Sequence, residues 1–224
     1  MKEKGWVNRS PVLRFNDVVR RVKSRAYAKV FIHRLIKQGL IKKLSRGLYS
    51  ASRDVFSIAS NIYYPAYLSF LSASYRFGYT ETIPVIISVA NRRKSKPIEF
   101  EGYTIEFIPL KEIWGYHKEG QDTDVVFVAD VEKLMIDAFL RPKEMGRFEE
   151  ILNVFRKAET IDIEKLLSYL KKLGSDKVYR QVGFLLEENK GIDIYGVMPI
   201  DRNYYNLNPF KKGKKLNKKW RLRI

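Results

Sequence analysis

The chain has 224 residues, 45% hydrophobic and 13% aromatic, enough for a packed core in one large domain or in a small domain joined to a larger one. Zero cysteines exclude disulfides and thiolate metal sites, two isolated histidines (His33 and His117) argue against zinc, and no apolar run approaches the roughly 18 residues of a membrane span. The formal net charge of +18 sits at the two ends: residues 1–50 carry 14 Lys and Arg against Glu3 and Asp17, residues 211–224 carry eight bases and no acid, and the stretch between holds 21 bases and 23 acids. A near-neutral body with cationic ends points to a polyanionic partner. The opening "MKEKGWVNRS" lacks the apolar centre of a signal peptide, so the expected compartment is the cytoplasm.

The first predicted element is "NDVVRRV" (16–22), a short helix capped by Asn16 with Val18, Val19 and Val22 turned inward. The second runs for about four turns from a Ser24 cap to a C-terminal Gly39. At about 100° per residue, Ala28, Phe31, Ile32, Leu35 and Ile36 share its core face, while Tyr27, Lys29, Val30, His33, Arg34 and Lys37 occupy the other. The pattern then changes. "LIKKLSRGLYS" reads as two short strands about the turn Ser45-Arg46-Gly47, a wing.

Helix, turn, helix and wing together form a winged helix-turn-helix, whose second helix lies in the major groove of duplex DNA. Residues 24–50 hold seven Lys and Arg, Arg25 among them, and no acid. Arg25, Lys42, Lys43 and Arg46 are placed to neutralise phosphates, which gives affinity without sequence information. Tyr27, Lys29, His33 and Arg34 fall where side chains reach base edges, with Lys29 and Arg34 the first candidates for reading them and Lys37 on the same wet face. The competing explanation is a solvated, solubilising helix face, and His33 in particular fits either one. No aromatic sheet motif or GXXG loop points to RNA instead.

In the body, Asp54 and Pro65 open two predicted helices, "DVFSIASNIYY" and "PAYLSFLSASYRFG", the second ending at Gly78. Strands are expected in "TIPVIISVA", in the pair "IEFEGYTIEFIPL" about Glu101-Gly102, and in "DTDVVFVA", with "NRRKSK" as a basic loop. The last strand leads into a helix capped by Asp130 and stopped near Pro142, followed by helices over 146–157, 162–173 and 176–189. In the middle one, Ile163, Leu166, Leu167, Leu170 and Leu173 make one stripe. The fold class is α+β: an N-terminal winged helix-turn-helix over 1–52, then a mixed domain over 53–224 with a small sheet, a C-terminal helical cluster and a basic tail. The tail ends in a strand-like "KWRLRI" with Trp220 as an anchor. It reads as a pinned, solvated terminus or as a second DNA contact.

Taken in order, "RLIKQGLIKKLSRGLYS" (34–50), "YLSFLSASYRFGYTETIP" (67–84), "VADVEKLMIDAFLRP" (128–142) and "RQVGFLLE" (180–187) resemble the AbiEi family of antitoxins and transcriptional regulators from phage-defence toxin–antitoxin pairs. The resemblance implies an N-terminal winged helix-turn-helix that represses its own operon at inverted repeats in the promoter. It further implies a C-terminal antitoxin domain opposing a nucleotidyltransferase-type toxin, with no direct binding between the two implied. One departure lies at the start, where family members often have a fuller first helix and this chain has "MKEKGWVNRSPVLRF" interrupted by Pro11.

An enzyme is the other class to weigh. A metal-dependent nuclease needs clustered acids with a lysine. Glu99, Glu101, Asp122, Asp124 and Asp130 lie near predicted strands but lack an Asp…Glu-x-Lys spacing. A nucleotidyltransferase needs a Gly-Ser or Gly-Gly turn before paired aspartates, and "DTD" at 122–124 has none. Glu132 and Asp137, five apart on one helix, fit a structural polar network. The expectation is therefore a non-enzymatic repressor with no catalytic residue, no metal site and no cofactor, and with double-stranded DNA as its partner. A stand-alone regulator whose body senses a ligand or dimerises is the runner-up, and the oligomeric state stays open.

Overall fold

A computed structural model describes residues 5–224. Residues 1–4, the start of the segment inspected for a signal peptide, lie outside the described residues. The chain is α+β and forms two compact units.

The first unit comprises the described residues through Leu68, with Val85–Ile113 and His117–Val128. It begins with a single 3-10 turn, Val7–Arg9, and strand β1 (Val12–Arg14), so no full helix precedes helix α1 (Phe15–Val22) among the described residues. Helix α2 (Arg25–Lys37) follows across a two-residue turn, then strands β2 (Lys42–Ser45) and β3 (Leu48–Ser50). The segment just after Pro11 thus becomes the third strand of an antiparallel sheet ordered β1-β3-β2. Val7, Leu13, Val18, Ala28, Phe31, Ile32, Leu35 and Ile41 close a small core, with Trp6, Phe15 and Tyr49 packed at its margin.

Two local expectations fail here. Helix α1 starts one residue early, so Asn16 lies inside it and its N-cap is Arg14, with no side-chain cap bond. Ile36 is 40% exposed, because the core stripe on α2 ends at Leu35 and the chain turns away at Gly39.

Helix α3 (Val55–Asn61) is capped as expected by Asp54, which accepts from the Phe56 and Ser57 amides. The segment after Pro65 is not one helix. Strand β4 (Ala66–Leu68), buried at all three positions, comes first, and helix α4 (Phe70–Arg76) starts only after Ser69. β4 is an interior strand flanked by β5 (Ile86–Asn91) and β9 (Val126–Ala129), and a short, fully apolar run has no period to distinguish it from helix. The buried Phe70 takes a left-handed backbone (φ 57) at the break between strand and helix. With β6 (Ile98–Phe100), β7 (Tyr103–Pro109) and β8 (Tyr116–Glu119), these strands form a six-stranded sheet ordered β6-β7-β5-β4-β9-β8.

The second unit comprises Ser69–Pro84, Trp114–Tyr116 and Ala129–Ile224. Helix α5 (Val131–Leu140) packs against α4, α6 (Phe148–Lys157), α7 (Ile163–Leu173) and α8 (Asp176–Lys190). Asp162 and Ser175 cap α7 and α8, and Gly174 and Gly191 end them in left-handed conformation. The tail adds a second three-stranded sheet of β10 (Tyr205–Asn206), β12 (Leu222–Arg223) and β11 (Leu216–Asn217), not a strand of the main one. Trp220 is fully buried against α8, where a Cβ on Gly183 would overlap its ring. Among the described residues no helix is long and apolar enough to cross a membrane.

Candidate nucleic-acid interface

Local chemistry sets both ends of α2. Lys23 adopts a left-handed conformation that turns the chain out of α1, and the Ser24 hydroxyl accepts from the Tyr27 amide at 3.2 Å. At the other end Gly39 (φ 68) donates to Ile36 O and Leu40 donates to Leu35 O, the Schellman arrangement that satisfies terminal carbonyls. The helix is therefore anchored at fixed ends with a buried stripe of Ala28, Phe31, Ile32 and Leu35.

On the opposite side Arg25, Tyr27, Lys29, Val30, His33, Arg34 and Lys37 are all exposed. Tyr27 leans on Phe31 with ring centres 6.2 Å apart, and Trp6 stacks on the same Phe31 at 5.8 Å. Arg25 lies over the Phe15 ring at 5.2 Å, and the Phe15 amide donates to Gly47 O at 2.9 Å. Phe15 thereby joins the start of α2 to the tip of the β2–β3 hairpin, where Gly47 (φ 78) makes the turn beside Arg46. A register shift between Lys43 and Ser45 turns Leu44 into the core and leaves Lys42 and Lys43 outward. Among the described residues, Arg25, Lys29, Arg34, Lys37, Lys43 and Arg46 have no carboxylate in ion-pairing range.

Lys42 differs from the rest: its ammonium pairs with Glu101 at the turn between β6 and β7. That acid lies far away in sequence, and no reading of the wing alone reveals it. Sequence reasoning also passed over Lys23, in the turn that precedes α2, and Arg21, whose guanidinium lies 5.0 Å from the Trp6 ring centre. Arg20 is spent locally on Asp17.

The tail divides. Lys219 bridges Glu187 (2.6 Å) and Asp193 (2.8 Å), and Arg221 donates to Asp201 O, so these two cations serve the fold. Lys211, Lys212 and Lys214 line an open cavity of about 420 Å³ with Phe148, Leu207 and the C-terminal Ile224.

The acids weighed for catalysis are dispersed or already engaged. Glu99 accepts from Thr104, and Asp122 and Asp124 form a 3-10 turn ahead of β9. Asp130 does not cap α5 with its side chain. It accepts instead from the Tyr169 hydroxyl at 2.7 Å and pairs with Lys165 at 3.0 Å, and burial followed by this hydrogen bond pushes the Tyr169 hydroxyl up. Glu132 accepts from the Asp162 amide at 2.8 Å and pairs with Lys165 at 3.4 Å. Lys133 and Asp137, both fully buried, pair with each other, Ser69 donates to Asp137 at 2.8 Å, and Lys133 also lies 4.7 Å from the Trp114 ring centre. The polar network on α5 ties it to α7 and to Ser69. Among the described residues no three acids or histidines gather where a metal ion would sit.

No protein-family model matches the sequence. No curated protein matches it either. Among solved structures, the chain is similar to the crystal structure of the RV2827C protein from Mycobacterium tuberculosis, with a TM-score of 0.63, 14% sequence identity, and coverage of 98% of this chain and 88% of that one. At that identity the likeness concerns the fold, and it extends over both compact units of this α+β chain.

Proposed function

We propose that residues 12–50 act as a winged helix-turn-helix that binds duplex DNA, with α2 in the major groove and the β2–β3 hairpin on the flanking phosphates. The observation that carries this reading is the exposed face of α2. Its cations lack acid partners among the described residues, and Phe15 links its first turn to the cationic hairpin tip. An ordinary solvated helix mixes both signs, and this one does not. Counterion release from phosphates supplies the affinity, and side chains on α2 supply the discrimination.

On the AbiEi-like order of segments in the body, the chain is a repressor of its own operon and the antitoxin to a nucleotidyltransferase-type toxin, acting without catalysis of its own. A gel shift of the full chain on the DNA upstream of its gene tests the first part, with retention of that fragment over a scrambled duplex as the expected result. Co-expression with the neighbouring toxin gene tests the second. Rescue of growth supports the antitoxin role, and unrelieved toxicity removes it.

A further inference from the structure

The buried stripe of α2 defines a direction, and the side chains opposite it enter a groove deepest. With successive residues about 100° apart, Ala26, Val30, His33 and Lys37 lie within about 30° of that direction. Lys29 and Arg34 lie about 70° to either side. The centre line of the wet face is therefore apolar and small in the first half of the helix, with cations on its flanks. Val30 is 46% exposed and Ala26 is exposed beside it, one turn earlier.

Recognition helices of this class present their N-terminal residues to base edges. A side chain there with no donor or acceptor contributes nothing to hydrogen-bond readout. The one apolar group that base pairs display in the major groove is the C5 methyl of thymine. Resting on the DNA-binding reading above, we infer that Val30, with Ala26 one turn before it, is a specificity-determining contact that reads thymine methyl groups. Lys29 and Arg34 then sit toward the groove walls, nearer to phosphates than to base edges.

The test uses the full chain and its own upstream DNA synthesised in two forms, one with thymine and one with uracil throughout, so that only the methyl groups differ. The wild type is expected to bind the uracil duplex about fourfold more weakly for each thymine methyl that Val30 buries. Val30→Ala is expected to lose most of the difference, leaving only what Ala26 and the alanine methyl contribute, and Val30→Thr, which keeps one γ-methyl, to retain more of it than Val30→Ala. Circular dichroism checks that both variants fold. If the wild type prefers the upstream fragment to a scrambled one yet binds thymine and uracil forms alike, the inference falls and the DNA-binding reading stands. If Val30→Ala keeps the full uracil penalty, the methyl is sensed elsewhere or through DNA shape, and the inference falls. If the wild type binds both fragments equally, binding is sequence-independent and this inference falls while duplex binding stands; if it binds neither, the DNA-binding reading falls, and this inference with it.

Discussion

Lys42 on β2 is ion-paired with Glu101, 59 residues further along the chain at the turn between β6 and β7. The two side chains are 48% and 42% exposed, a setting in which an ion pair contributes only about 0–1 kcal/mol to stability. Its larger consequence is electrostatic, since it places an acid beside the hairpin proposed to bind phosphates. Glu101→Gln is expected to free Lys42 and tighten duplex binding at low salt. The log–log salt slope should steepen by about 0.9, the increment of one phosphate contact. Lys42→Ala is expected to weaken binding less than Lys43→Ala. Fluorescence anisotropy across a salt series measures both, and identical curves for wild type and Glu101→Gln would put Lys42 out of reach of the duplex.

Inside the second unit, Lys133 and Asp137 form a fully buried ion pair one turn apart on α5. Removing one member of such a pair strands the other's charge and costs about 3–5 kcal/mol, whereas replacing both by apolar groups of similar volume costs far less. We expect Asp137→Ala to destabilise by that amount in urea unfolding, and the Lys133→Met/Asp137→Leu double variant to unfold at higher urea than the single. A loss below about 1 kcal/mol in the single variant would mean that the pair is hydrated.

Arg180, buried in α8, donates to Asp201 at 2.6 Å, and this hydrogen bond together with one from the Asn203 amide holds the Asp201 carboxyl down to about 2. A carboxylate with a depressed folded-state value adds stability above its unfolded value, and that stability is lost as pH falls through the folded one. The Asp201 contribution is thus present at neutral pH and fades between about 4 and about 2. Asp201→Asn is expected to lower stability at pH 6 and to flatten the acid limb of the stability–pH curve in that window. Parallel acid limbs for the two proteins would refute the assignment.

Gly183 on α8 is fixed by the Trp220 ring, which occupies the space a Cβ would fill. Gly183→Ala should cost at least about 1–3 kcal/mol through overpacking despite the better helix propensity of alanine. Loss of the near-ultraviolet signal of the buried tryptophan should accompany it. Unchanged stability would mean that the tail is not docked on α8.

The elements legible in the sequence are those set by local chemistry. Ser24, Asp54 and Asp162 cap their helices with their own side chains, and Gly39 and Gly174 end theirs, all within a few residues of the signal. What the sequence hid is non-local. Ala66–Leu68 is a strand because β5 and β9 flank it, and its uniformly apolar run carries no period to show this. Asp130 precedes its helix as a cap would, yet its carboxylate is taken by Tyr169 and Lys165. In the tail, Leu222–Arg223 falls inside the strand-like "KWRLRI", but the two-residue strands Tyr205–Asn206 and Leu216–Asn217 that pair with it lie below any periodic signal. The candidate interface divides in the same way. Helical periodicity alone assigns the wet face of α2, but the partner of Lys42 and the link from Arg25 through Phe15 to Gly47 need three dimensions.

The most direct measurement is the salt dependence of binding to a defined duplex by the full chain and by a Lys43→Ala/Arg46→Ala variant. If the hairpin and α2 embrace DNA, the wild type binds its upstream fragment more tightly than a scrambled one, and the log–log slope of the double variant is shallower by about 1.8, two phosphate contacts. Equal affinity for both duplexes, with a slope that the two substitutions leave unchanged, would contradict it.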